Sequence, residues 1–142
     1  MMTKMKIALL SPDAKEPTYA SEKASGLDLY SPVDVVVAPG GTRRIEIGVA
    51  FELPDGCEGQ IRPRSGMAAR STVLAVFGTI DQDFIGGVSV LLINHGPFPY
   101  TVRKRDRIAQ MVVAPVIRCT LEVVSELRNT QRGCGGHGST GR

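Results

Sequence analysis

The residues of this chain predict an all-β fold, a sandwich or barrel of short strands. Three observations carry that expectation. Apolar residues recur at every second position in several runs, turn-forming residues separate those runs, and only one short stretch has helical character. The run VDVVVA (33–38) reads as a strand, closed by the turn signal APGG (38–41). Thr42 to Leu53 reads as one strand with a buried face, because Ile45, Ile47, Val49, Phe51 and Leu53 alternate with Glu46, Gly48, Ala50 and Glu52. LPDG (53–56) ends it. GMAARS (66–71) predicts a turn or two of helix. VSVLLIN (88–94) predicts a strand, followed by the turn NHGPFP (94–99), and RIAQMVVAPV (107–116) and TLEVVSEL (120–127) predict two more.

A chain of 142 residues with 42% hydrophobic content suits one domain with one core. The expected division is a β domain over 1–131 and a glycine-rich tail over 132–142. No apolar run approaches the length of a membrane span, and the apolar patch in MMTKMKIALLSPD is too short for a signal-peptide core. Cys57, Cys119 and Cys134 are scattered and odd in number, which suggests free thiols in a reducing, intracellular compartment, cytoplasmic or nuclear. With no CxxC and only 2 histidines, a zinc site is not expected. The net charge of +3 is compatible with an anionic small molecule.

Chemistry concentrates in four stretches. The tail RGCGGHGSTGR (132–142) contains Gly136-His137-Gly138-Ser139-Thr140-Gly141, a formal GxGxxG. A dinucleotide fingerprint needs a following helix, which is absent here. What remains is a set of backbone amides freed by glycine, an arginine fork and two hydroxyls, all suited to phosphate. In IRPRSGMA (61–68), Arg64 and Ser65 precede Gly66 where a strand passes into the helical turn, a place where amides can face an anion. In GTIDQDFIGG (78–87), alternation puts Asp81 and Asp83 opposite Ile80, and a carboxylate near phosphates can act as general base toward water. RKRDRIAQ (103–110) lacks aromatics between its charges and reads as a solvated hairpin tip rather than a nucleic-acid patch. His95 receives no role.

These segments resemble the homotrimeric dUTPase family, which carries five short motifs in fixed order. The counterparts are ASGLDLYS (24–31), PRSGMA (63–68), GTIDQDFIGG (78–87), RDRIAQM (105–111) and RGCGGHGSTG (132–141). The resemblance implies a jelly-roll, a homotrimer whose active sites draw on all three subunits, and magnesium-dependent hydrolysis of dUTP to dUMP and pyrophosphate. That reaction limits uracil in DNA and supplies dUMP for dTTP synthesis. Asp81 stands where the family has its general base. Arg64, Ser65, Gly66 and Gln110 match contacts to the phosphates. Asp28 matches an acid that meets the water shell of Mg2+. The hairpin from Ala75 to Asp81, with Gly78, Thr79 and Ile80, and Ser89 on the returning strand, matches the uracil pocket. Arg132, Gly138, Ser139 and Thr140 match the tail that closes over the nucleotide as a lid from a neighbouring subunit, with Arg132 on the γ-phosphate. Neither a nucleic acid nor a membrane is an expected partner.

Three positions depart from the pattern. His137 replaces the phenylalanine that stacks on uracil, which implies a lid that closes more weakly or with more pH dependence. Phe84 replaces a tyrosine that packs on deoxyribose. Arg105 replaces a glycine, and a positive φ there would cost about 1–3 kcal/mol. Two rivals share the fold: dCTP deaminase, whose glutamate soon after the third-motif acid is missing from Gly86-Gly87-Val88-Ser89, and a trimeric signalling protein that binds dUTP without turning it over.

Overall fold

The computed structural model describes residues 3–141. Its strands are β1 (Lys6–Leu9), β2 (Thr18–Tyr19), β3 (Leu27–Tyr30), β4 (Val35–Val37), β5 (Thr42–Glu46), β6 (Val49–Glu52) and β7 (Cys57–Arg62). After the single helix α1 (Ser65–Ser71) come β8 (Val73–Ala75), β9 (Gly78–Ile80), β10 (Ser89–Asn94), β11 (Tyr100–Val102) and β12 (Arg107–Pro115). The fold is all-β with one short helix. Four antiparallel sheets form, in the orders β1-β6, β5-β10-β8, β11-β4 and β2-β3-β12-β7-β9. Among the described residues, only β2 and β3 pair as neighbours in sequence. The chain therefore crosses repeatedly between sheets, and the inward faces close on one core.

That core is built from the residues that alternation marked. Ile45, Ile47, Val49, Phe51 and Leu53 are all buried, as are Val88, Val90 and Leu92. Each such side chain contributes about 1.5–3 kcal/mol relative to exposure. The run from 42 to 53 is nonetheless two strands, not one. β5 pairs with β10 while β6 pairs with β1, and the chain turns between them at Gly48, whose φ is 71°. A Cβ there would lie 2.9 Å from the Ala14 Cβ and 3.0 Å from the Ser11 Oγ, so the corner needs glycine twice over. The inward period survives the corner because Val88 bonds across it, accepting from Ile47 N at 3.0 Å and donating to Val49 O at 2.9 Å.

β12 is the spine of the largest sheet, flanked by β3 and β7. A register shift between Arg107 and Ala109 interrupts its period, so Ile108 and Ala109 are both buried in succession. The stretch 120–127 corrects an expectation: it forms no strand. Among the described residues no segment pairs with it, and Leu121, Val123 and Leu127 stand 89%, 99% and 87% exposed. The segment 103–106 is also not a hairpin tip, since β11 and β12 lie in different sheets. It is a tight, solvent-facing turn, closed by Asp106 N donating to Arg103 O at 2.9 Å. No helix among the described residues is long and apolar enough to cross a membrane.

Candidate active site

The residues expected to meet phosphates gather where β3, β7 and β12 meet. Strand pairing sets Asp28 opposite Gln110, and Gln110 opposite Arg62, so three motifs distant in sequence share one register. Pro63 follows β7, and Arg64 holds an extended backbone (φ −94°, ψ 127°) at the start of α1. Its guanidinium turns inward: Nε donates to Asp28 Oδ1 at 2.9 Å. Arg107 Nη1 donates to the other oxygen, Oδ2, at 3.2 Å. Gln110 Nε2 donates to Pro63 O at 2.9 Å, which fixes the loop that carries Arg64. Gly26 makes room for this arrangement, because a Cβ there would collide with the Gln110 amide oxygen. Asp28 is buried, so its charge is held by two guanidiniums rather than by water. Ser65 and Gly66 occupy the first turn of α1.

The residues expected on the base side lie on β8, β9 and the turn that follows, and Gly78 and Thr79 share one cleft with Pro63 and Gln110. The stretch from Ala75 to Asp81 is not a hairpin: β8 pairs with β10, and β9 pairs with β7. Ala75 is buried at the end of β8, while Gly78, Thr79 and Ile80 form β9. Asp83 does not continue the strand beside Asp81, because β9 stops at Ile80 and Phe84 N donates back to Asp81 O at 3.1 Å. The resulting cleft of about 200 Å³ is lined by Thr79, Ile80, Asp81, Phe84, Gly87, Val88 and Ser89. Asp81 is exposed and makes no ion pair among the described residues. The Phe84 ring lies over Gly86, where a Cβ would stand 2.9 Å from its Cζ.

Gln82 is a residue that motif reading passed over. It accepts from Gly56 N at 2.9 Å and donates to Asp55 Oδ1 at 2.8 Å, tying the Asp81 turn to the β6–β7 turn. A side-chain bond between two turns leaves no periodic signal in sequence. Arg107 was likewise inside a motif without a role.

The tail is the part not brought to either cluster. Arg132, His137, Gly138, Ser139 and Thr140 are exposed, and the tail's hydrogen bonds stay local: Arg132 Nε donates to Gly135 O at 2.8 Å and Ser139 N to Gly136 O at 3.0 Å. Among the described residues no group of three or more His, Cys, Asp or Glu gathers as a metal cage. The donor chemistry fits a hard cation carried chiefly by a phosphate ligand, with Asp28 the acid that pairs with both Arg64 and Arg107.

A family model described as dUTPase matches residues 13–141. The chain belongs to the dUTPase family. It is therefore a hydrolase of nucleotide metabolism, a dUTP diphosphatase. It is 48% identical to the deoxyuridine 5'-triphosphate nucleotidohydrolase of Nautilia profundicola over 141 residues, covering 98% of this chain and 99% of that protein. With the enzyme of the same name from Anaplasma marginale it shares 52% identity over 129 residues, covering 88% of each. Among solved structures, the Staphylococcus bacteriophage 80alpha dUTPase with dUPNHPP superimposes with a TM-score of 0.94 at 25% identity, covering 99% of this chain and 100% of that one.

Proposed function

We propose that the chain hydrolyses dUTP to dUMP and pyrophosphate, as a jelly-roll homotrimer in which Asp81 is the general base. The observation that carries this reading is the placement of Asp81: an exposed carboxylate with no ion pair among the described residues, at the edge of a small cleft lined by the Phe84 ring. A carboxylate so placed accepts a proton from a water. That water forms a bond to the α-phosphorus, the bond from α-phosphorus to the bridging oxygen breaks, and the electron pair leaves with pyrophosphate. The base is worth about 10²–10⁴ in rate. The likeness to a phage enzyme solved with a dUTP-like ligand supports the substrate.

Arg64, Ser65, Gly66 and Gln110 then receive the phosphates, and Asp28 orients Arg64 and would be the acid that meets the water shell of a bound magnesium ion. Magnesium, when bound, neutralises charge on the triphosphate. Thr79, Ile80 and Ser89, with backbone of Ala75 and Gly78, take the base, and Phe84 packs on the sugar. Two observations support the trimer. The cleft of Asp81 and the cleft of Arg64 share no lining residue, and the apolar side chains at 121, 123 and 127 face solvent in the single chain. A neighbouring copy supplies the missing half and covers that arm. Arg132, His137, Gly138, Ser139 and Thr140 close over the nucleotide from another subunit, with ordering energy drawn from the ligand.

The test is pyrophosphate release from dUTP with magnesium, beside dCTP and UTP, for wild type and Asp81→Asn. Release from dUTP alone, lowered by about 10²–10⁴ in the variant, is expected. Unchanged turnover in Asp81→Asn, a monomer in solution, ammonia from dCTP, or tight dUTP binding without cleavage would each overturn the proposal.

A further inference from the structure

Resting on that reading and deepening its phosphate half, we infer that Arg70 is a third guanidinium contact to the terminal phosphates, completing a cleft with Arg64 and Arg107. Arg70 lies one helical turn beyond Gly66 in α1, and its side chain folds back over the first turn of the helix. A Cβ at position 66 would stand 3.1 Å from Arg70 Nη2 and 3.5 Å from Cζ and Nη1. The guanidinium therefore occupies the space that a side chain at 66 would fill. Glycine at that position does more than bare its own amide: it lets an arginine from the last turn lie across the phosphate-facing turn. A Cβ alone would shift the Arg70 guanidinium by a few tenths of an ångström, and a longer side chain would displace it.

The three arginines open onto one cleft of about 400 Å³, which Tyr100 and Ile108 also line. Charge decides what it takes. Arg64 and Arg107 share one carboxylate, Asp28. Asp106, also on the wall, accepts from Arg103 N at 2.8 Å. Among the described residues Arg70 has no acid within ion-pair distance. Three guanidiniums against two carboxylates leave an excess of positive charge, and the unmatched group is Arg70. A planar fork suits two oxygens of a phosphate. The ligand class is the pyrophosphate portion of a nucleoside triphosphate, and the nucleoside itself is irrelevant to this contact.

The experiment compares wild type, Arg70→Gln, Arg70→Lys and Lys6→Gln, the last removing an exposed cation on β1 that pairs with Glu52. For Arg70→Gln, KM for dUTP and the inhibition constant of inorganic pyrophosphate rise about tenfold or more, with a smaller change in kcat. Arg70→Lys recovers part of the loss. Inhibition by dUMP, which lacks the terminal phosphates, does not change, and Lys6→Gln behaves as wild type. The inference is overturned if Arg70→Gln keeps wild-type KM and pyrophosphate inhibition, or if Lys6→Gln matches its loss. Should the wild type release no pyrophosphate from dUTP, the proposed function fails by itself. Calorimetric binding of inorganic pyrophosphate to wild type and Arg70→Gln then still decides the role of Arg70.

Discussion

Replacing Asp28 by asparagine removes one negative charge and almost no volume from the centre of the phosphate-side network. In the wild type, Oδ1 lies 2.9 Å from Arg64 Nε and Oδ2 lies 3.2 Å from Arg107 Nη1, with the Asp28 side chain 7% exposed. Asparagine keeps one acceptor oxygen and sets an amide N–H₂ against the other guanidinium. One charge-assisted bond becomes a bond to a neutral acceptor, and the other becomes donor against donor. A hydrogen bond to a charged group is worth about 1.5–3 kcal/mol, and breaking a buried ion pair costs about 3–5 kcal/mol. The Arg64 side chain is 22% exposed and feels most of that loss, whereas Arg107 is 46% exposed and turns to water. The expected cost is about 3 kcal/mol, or a fall in Tm of roughly 10 °C for a chain of this size.

Differential scanning calorimetry without nucleotide or magnesium reads this term alone, provided both proteins are compared at one concentration. If Arg64 meets the phosphates as proposed, the freed guanidinium loses its set position, so KM for dUTP rises more than kcat falls. A variant with the wild-type Tm and the wild-type KM would refute the claim that Asp28 holds the arginines. A wild-type Tm with a KM that saturating magnesium restores would assign Asp28 to the metal's waters and to nothing else.

Three other outcomes are expected. Phe84→Ala opens the cleft beside Asp81 and admits a 2′-hydroxyl, so the ratio of UTP to dUTP kcat/KM rises about tenfold or more; unchanged discrimination removes Phe84 from sugar selection. Arg105 has φ 76° at the third position of the turn closed by Asp106 N on Arg103 O, a place that favours glycine. Arg105→Gly relieves about 1–3 kcal/mol of strain against about 0.5–1 kcal/mol of added chain freedom, so Tm rises by a few degrees, and a fall in Tm contradicts the strain. The Asp13 carboxyl is held below its usual 3.8 by its hydrogen bond from Lys104 and that ammonium's charge. Because the folded value is the lower one, the pair's support is present above 3.8 and is lost as pH falls through the folded value. Titration by NMR shows a midpoint below 3.8 that returns toward it in Lys104→Gln.

What was legible in the sequence follows from what each signal measures. Alternation reports which face is buried, so Ile45 through Leu53 were placed inward correctly although the chain breaks at Gly48. Alternation does not report which strand lies alongside, and that is why 42–53 read as one strand; the hairpin at 75–81 came from the family resemblance, which does not report pairing either. The family motifs located Asp28, Arg64 and Gln110, but not that Gln110 braces Pro63 or that Gly26 clears space for it, since both are contacts across a sheet. A positive φ at Arg105 was only one of two readings, raised by the glycine of the resembling motif, and the sequence left it open; the structure has φ 76° there. The stretch 120–127 separates the two kinds of information most clearly. Leu121, Val123 and Leu127 share one face of an extended chain, the same pattern that marks true strands elsewhere, yet each is nearly fully exposed. A strand pattern states that a segment has an apolar face and β-forming residues; it does not state that its own chain supplies the edge. Three large apolar side chains left in water forgo about 1.5–3 kcal/mol each. That cost is recovered only against another surface, and it is the strongest physical argument, independent of any motif, for the proposed assembly of several copies around shared sites.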